Sequence, residues 1–462
     1  MSQNFPISKL TLALIAMSVA SLTQAAGLDR SGQDIKGFLN NGTYAEVDFA
    51  YIDTNVSVND NAGAIRTSPT TEIRNGITST EDAYEKGVNT GNATEDAYTF
   101  ARYGVKTDVN DNISIGVFYD EPFGAEVEYT GDNAFVSKAG KLTIADSSSG
   151  ISVPNEVINS SVLDPAYDKN TNVSLHTETW TGLIGYKANG LQVYGGPVIQ
   201  KAKAEVHLRG QAYGPLTGYD ANVNGDTDFG WVAGVAYSKP EIALKAALTY
   251  RSEIDHETEV GERVPLLSSP LKGVALTKLG IDPNSELGRS INQYATTEAT
   301  VTTPESVNFT LETGLSKEYQ LLGTLDVRWV PWSDFKIVPP LYNAYSKAAE
   351  PEGLPLLSYD KDQWKVDVGL AKRFNEKLAG SVVVGYDSGA GDPVSSLGTI
   401  EGFYSFGGGV KYNVTPEWAV SVGGKYLKFG DATGQLPNGS VVSKSYDNDG
   451  YIAGVKLSYQ SQ

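Results

Sequence analysis

The sequence predicts an all-β fold, an antiparallel transmembrane β-barrel of about fourteen strands, on three observations. Segment after segment carries apolar residues at every second position, the period of a strand with one covered face. The connections between segments alternate long and short, as extracellular loops and periplasmic turns do in outer-membrane barrels; neither a sandwich nor a propeller requires this. Within the segments the charged residues fall on the parity opposite to the apolar ones. That keeps them off lipid, where Lys or Arg at the midplane costs ~2–4 kcal/mol. Composition agrees, since 49 Gly, 26 Tyr and 10% aromatic residues suit strands bounded by aromatic girdles. The mean hydropathy of -0.24 is no objection, because alternation hides a barrel from an averaged scale.

At the N-terminus, Lys9 precedes an apolar run from Leu10 to Leu22 and the small-x-Ala site Thr23-Gln24-Ala25. This is the pattern of a secretory signal peptide over residues 1–25, too short in its apolar core for the ~20 residues that span a bilayer. The chain has no cysteine, so neither a disulfide framework nor a thiolate metal site exists, and stability must come from packing and pairing. A net charge of -19 argues against nucleic-acid partners. No cofactor is expected.

Residues 26–42 are rich in Gly and Asn and show no period of two. The barrel is expected over 43–462, beginning with Ala45, Val47, Phe49 and Tyr51 alternating with Glu46, Asp48 and Ala50. A long loop, about 59–93, follows. The second strand, about Tyr98 to Thr107, turns through Asp108-Val-Asn-Asp-Asn112 into a third that carries Ile113, Ile115, Val117 and Tyr119. After a loop at about 137–172 come a strand with Trp180 and Tyr186, an Asn189-Gly190 hairpin signal, and a strand from Leu191 toward Leu208. Loops at about 210–225, 259–297, 338–361, 389–399 and 431–445 separate the later hairpins. Their strands carry Phe229 to Tyr237, Ile242 to Tyr250, Val307 to Leu315, Leu321 to Trp329, Trp364 to Leu370, Val382 to Tyr386, Tyr404 to Tyr412, Trp418 to Tyr426, and Tyr451 to Tyr459.

The third strand is interrupted. Pro122, Phe123 and Gly124 sit inside Tyr119–Tyr129, whose two halves each alternate. Proline removes a ladder donor, so the strand must bend or unpair there. An ordinary bulge and an opening in the barrel wall both satisfy the pattern. Glu46, Asp48, Lys245, Arg251, Glu253, Glu312, Asp326, Arg328, Lys365, Asp367, Arg373, Asp387, Lys411, Lys425 and Lys456 share the inward parity, most of them expected as mutual lumen ion pairs.

Several stretches resemble the FadL-type long-chain fatty acid and hydrocarbon transporters of Gram-negative outer membranes. They are Ala26-Gly27, Tyr51-Ile-Asp-Thr-Asn-Val-Ser57, Pro122-Phe-Gly-Ala-Glu-Val-Glu-Tyr129, Phe229 to Tyr237, Leu248 to Ile254, Thr303 to Asn308, and Arg328 to Lys336. The resemblance implies a monomeric fourteen-stranded barrel in the outer membrane, surrounded by lipid and lipopolysaccharide, with an N-terminal hatch at 26–42 folded into the lumen. It further implies capture of a hydrophobic ligand at the outer loops, a lumen pocket, and lateral release through the kinked third strand. Leu28, Ile35, Phe38 and Leu39 are the expected apolar contacts of the hatch. The family's Asn-Pro-Ala hatch motif is absent, and Val206 stands where the best-known member has an arginine that meets the ligand carboxylate.

A fatty acid needs an apolar tunnel and a cation, because an unpaired carboxylate in an apolar cavity is heavily penalised and Arg offers a bidentate fork. Arg251 and Arg328 are the candidates, with Lys365 behind them. Leu266, Leu267, Leu271, Leu276, Leu279 and Ile281 make the loop before residue 297 more apolar than an exposed loop requires, and suit either an outer capture groove or loop-on-loop packing. Asp220, Asn222 and Asn224 open like a calcium loop, but Trp231 stands where a bidentate Glu belongs, leaving Asp226 and Asp228 as substitutes for a weak site. The competing classes are a hydrophilic diffusion porin, a transporter of alkanes or aromatic hydrocarbons, and an outer-membrane lipase. For the last, His176, His207 and His256 sit in no serine or metal motif.

Overall fold

In the computed structural model the described residues are 28–60, 89–94, 97–131, 133–136, 142–146, 151–154, 170–264, 272–278, 281–291, 294–347 and 350–461. The signal peptide expected over 1–25 lies outside them. Alternating sequence becomes fourteen antiparallel strands that close on themselves. β1 is Tyr44–Asn55, β2 is Tyr98–Asp108 with the preceding piece Asn89–Thr94, and β3 is Ile113–Asp120 followed by Gly124–Gly131. β4 is Asn172–Ala188, β5 Leu191–Leu208 and β6 Tyr219–Lys239; β7 is Leu244–Arg251 with Ile254–Arg263, and β8 is Tyr294–Thr303 with Ser306–Ser316. Then come β9 Leu321–Val330, β10 Gln363–Arg373, β11 Leu378–Asp387, β12 Glu401–Asn413, β13 Trp418–Gly430 and β14 Asp449–Gln460. Closure is made by β1 on β14, in register from Tyr44↔Gln460 to Asn55↔Asp449. Closure leaves the sheet without a free edge strand, so ladder groups find partners in neighbouring strands.

Except past the kink, where Val127 and Tyr129 are buried inside, the parity expected from sequence is the parity observed. Val47, Phe49, Tyr51, Val193, Val235, Val384, Phe406 and Val422 face outward, whereas Glu46, Asp48, Arg251, Arg328, Lys365, Asp367, Lys411, Lys425 and Lys456 are buried in the lumen. Glu253 is a correction. It falls in the break between the two pieces of β7, where the period slips, and it is exposed. Outward aromatics form two belts. On β12, Tyr404 and Tyr412 are eight residues apart, as are Trp418 and Tyr426 on β13. At ~3.3 Å per residue and a tilt of ~40°, that spacing is about 20 Å, close to the apolar band of a barrel.

The turns at one end are tight. Asn189 and Gly190 both adopt positive φ, 52° and 82°, the type I′ geometry that joins β4 to β5. At the other end the expected loops are partly structured. β6 begins at Tyr219, inside the stretch expected as loop to 225; β7 runs on to Arg263, and 431–445 holds the hairpin Ala432–Gln435 with Val441–Ser445. Short helices α1 (Lys272–Lys278), α2 (Glu286–Ser290) and α3 (Pro340–Ser346) lie among these connections. The N-terminal stretch from Leu28 enters the lumen and forms a 3-10 turn at Lys36–Leu39, which places a plug inside the barrel.

Candidate functional site

The ladder between β2 and β3 is interrupted. Near the short turns it runs from Asp108↔Ser114 to Tyr103↔Tyr119, and it resumes only at Thr94↔Glu128. Pro122 and Gly124 occupy the break, while β3 keeps its contact with β4 through Thr177, whose Oγ1 accepts from the Phe123 N–H at 2.8 Å and donates to its carbonyl at 2.6 Å. Among the described residues the interruption between these two neighbouring strands is wider than a single-residue bulge. Below it, Tyr103, Tyr119 and Trp180 stack against one another on the outer face.

The N-terminal segment fills the gap. The Gly124 N–H donates to the Leu28 carbonyl at 2.7 Å, the Arg30 N–H donates to the Pro122 carbonyl at 2.7 Å, and Asp29 bridges antiparallel to Phe123. The hatch thus supplies backbone partners that the proline and the strand break remove. Asp29 turns inward and forms a two-point ion pair with Arg328, at 2.7 Å from Nε and 2.9 Å from Nη2. Arg328 also donates to Asn308 Oδ1 at 2.9 Å. Further hydrogen bonds run from Asn308 to the Gly32 carbonyl, from Ser306 to Gln33, and from Ser31 to Asp120.

Deeper in the lumen, Lys36 pairs with Asp326 at 2.7 Å, Lys456 with Glu46 at 2.8 Å, and Lys425 with Asp367 at 2.8 Å. Leu28, Ile35, Phe38 and Leu39 are all buried. Phe38 packs between Phe118 and Tyr194 at ring distances of 6.4 and 5.7 Å. A cavity of about 60 Å³ lies between hatch and wall, lined by Ile35, Leu39, Tyr194, Phe309, Arg328 and Lys365. Ligand sites commonly need ~300–1,000 Å³, so this space as it stands is smaller than a typical ligand site.

The three candidate cations are placed differently. Arg328 is held by Asp29, and Lys365 lies 3.7 Å from Asp367. Arg251 is 3% exposed and donates to Thr181 Oγ1 at 2.9 Å; its Nε has no partner, and among the described residues no carboxylate lies within ion-pair distance. Sequence reasoning missed Asp29 and Arg30. Their only signal is a charge pair beside Leu28 in a segment without periodicity, where no parity argument applies.

Toward the long loops the lumen is apolar. Phe123 meets Trp332 edge-on at 5.6 Å, and this contact continues through Phe335, Tyr345, Leu357, Phe403 and Phe429. Glu262 accepts from the backbone N–H groups of Leu341 and Tyr342 and from Tyr219, fixing the start of α3. Burial pushes the phenols of Tyr342 and Tyr345 on α3 above their ordinary range. Leu276 and Ile281 are buried within the same apolar cluster, on the side of loop packing; Leu266, Leu267, Leu271 and Leu279 lie outside the described residues. The calcium loop is corrected. Asp220, Asn222, Asn224 and Asp226 lie on β6, and Asp220 is taken by Arg209 Nη2 at 2.6 Å and His207 Nδ1 at 2.7 Å. Among the described residues no group of three or more His, Cys, Asp or Glu could hold a metal.

The comparisons identify the barrel's family. The family model described as outer membrane protein transport protein (OMPP1/FadL/TodX) matches residues 163–460. The chain belongs to this family. As a FadL/TodX protein it is an outer-membrane barrel that transports hydrophobic compounds. Similar solved structures include a FadL homologue of Pseudomonas aeruginosa, at TM-score 0.64 and 13% identity with 96% of each chain covered. The toluene transporter TodX of Pseudomonas putida is similar at TM-score 0.53 and 11% identity, covering 96% of this chain and 97% of that one. The monoaromatic hydrocarbon channel CymD gives 0.51 and 11% with the same coverage. No curated protein matches the sequence. At these identities the likeness is one of fold, and the FadL/TodX barrel shared by all three carries different side chains in this chain.

Proposed function

We propose that this chain takes up long-chain fatty acids by capture among the outer loops, binding in the lumen beside Arg251, and lateral release through the gap between β2 and β3. The observation that carries the reading is the dual role of one short segment. Leu28–Arg30 both closes the gap and occupies Arg328 through Asp29. A ligand carboxylate attracted by Arg251 and competing with Asp29 for Arg328 draws on the contacts that hold the hatch, so binding and opening share one equilibrium. Arg251 is the first docking point, because its guanidinium is buried without an acid at ion-pair distance among the described residues.

A second reading, uptake of a neutral hydrocarbon, is favoured by the neutralisation of Arg328 and Lys365, which leaves most lumen charge internally paired. The two separate by titration of the detergent-solubilised protein with hexadecanoate and with hexadecane. Replacing Arg251 and Arg328 together by Ala should weaken hexadecanoate binding by at least about tenfold and leave hexadecane unaffected. Unchanged hexadecanoate affinity in the double variant sinks the fatty-acid reading. Planar-bilayer recording separates both from a diffusion porin, which would conduct ions freely where the plugged barrel conducts little.

A further inference from the structure

The side chain of Arg30 has no part in the reading above, yet it occupies the gap itself. Its guanidinium carbon lies 4.1 Å from the centroid of Tyr98, on the β2 wall, and its Nη1 is 3.3 Å from His176 Nδ1, on the far side of β3. Arg30 is 2% exposed, and its Nε and Nη2 are buried without a hydrogen-bond partner. Among the described residues no carboxylate lies within ion-pair distance of it. Gly124 makes the space, since a Cβ there would lie 2.5 Å from the Arg30 Cζ. A guanidinium with two empty donors is costly in a wall unless it has work to do, and a carboxylate is the group that matches its fork.

We propose that Arg30 is a second carboxylate-binding station, set in the lateral gap, that receives the headgroup of an anionic amphiphile as it leaves the lumen. This rests on the fatty-acid reading above. The headgroup passes from Arg251 inside to Arg30 in the wall, while its chain follows the apolar cluster that holds Leu28 and Phe123. The stack on Tyr98 holds the guanidinium plane across the gap, and His176, which faces outward, marks the outer end of the path.

The test compares uptake of hexadecanoate and of hexadecan-1-ol by cells carrying the full-length protein, with background taken from cells that lack it. Arg30→Met should lower hexadecanoate uptake about tenfold while hexadecan-1-ol stays within about twofold of the unsubstituted protein. Arg30→Lys, which keeps the charge and loses the fork, should fall between. If Arg30→Met does not assemble as a heat-modifiable barrel, Gly124→Ala displaces the same guanidinium and should give the same selective loss. Equal loss of both probes would mean that Arg30 only closes the gap, and no change in either would mean that it is idle; both overturn the proposal. Unsubstituted protein that takes up hexadecan-1-ol but not hexadecanoate overturns the fatty-acid reading and this proposal together. Rapid hexadecanoate uptake retained in Arg30→Met overturns this proposal alone.

Discussion

The two halves of the lumen are closed by different forces. From the level of the gap toward the short turns, the hatch is held by charged and polar contacts, Asp29 with Arg328, Lys36 with Asp326, Ser306 with Gln33, around a small apolar centre at Phe38. Toward the long loops, closure rests on a large apolar cluster, with Trp332, Phe335, Tyr345 and Phe403 in the same cluster as Phe123, pinned at α3 by Glu262. Charged contacts are directional and can be exchanged for an equivalent partner, whereas apolar packing only requires another apolar surface. The two regimes meet in the gap, where Leu28 and Phe123 belong to one buried apolar cluster.

The largest break in this comparison comes from removing the gap. Replacing Pro122-Phe-Gly124 by an alternating strand sequence should leave a heat-modifiable barrel and abolish uptake; surviving uptake would reduce the kink to a bulge. Next is Asp29→Asn. Losing one partner of a buried pair costs ~3–5 kcal/mol, taken here from docking of the hatch. Bilayer conductance should rise, and an unchanged trace would mean that the ion pair is not what holds the plug. Phe38→Ala removes the apolar centre of the same half, at a cost of ~3–5 kcal/mol. Protease cleavage within 28–42 should become faster, with no change at α3.

In the apolar half the expected effect is smaller. Glu262→Gln leaves Leu341, Tyr342 and Tyr219 with a weaker acceptor, at ~1–3 kcal/mol. Cleavage near α3 should increase while the hatch stays protected, and loosening of both halves would show that they are one cooperative unit. The smallest effect is expected at the exterior of β6. Asn222→Ala with Asp226→Ala should change neither uptake nor a calcium titration, which calorimetry should find silent in the parent as well.

Strand number, inward and outward parity, closure into a membrane barrel and the position of the broken strand were all legible in the chain. A period of two is a local property, and a proline in a strand declares itself wherever the strand ends up. The N-terminal segment was legible only as something that is not a strand. Leu28, Ile35, Phe38 and Leu39 are buried, but nothing in their spacing says which wall they meet.

Arg251, Arg328 and Lys365 show why parity is not enough for a site. All three point inward, as alternation demands, yet one is claimed by Asp29, one lies beside Asp367, and Arg251 has no acid at ion-pair distance among the described residues. Asp29 and Arg328 are 299 residues apart in sequence, and Arg30 and His176 are 146 apart. Such pairings arise only when closure of the sheet brings distant strands around a common plug, so the sequence determined the wall and its break, while the tertiary structure decided which of the inward charges are held in ion pairs and which are not.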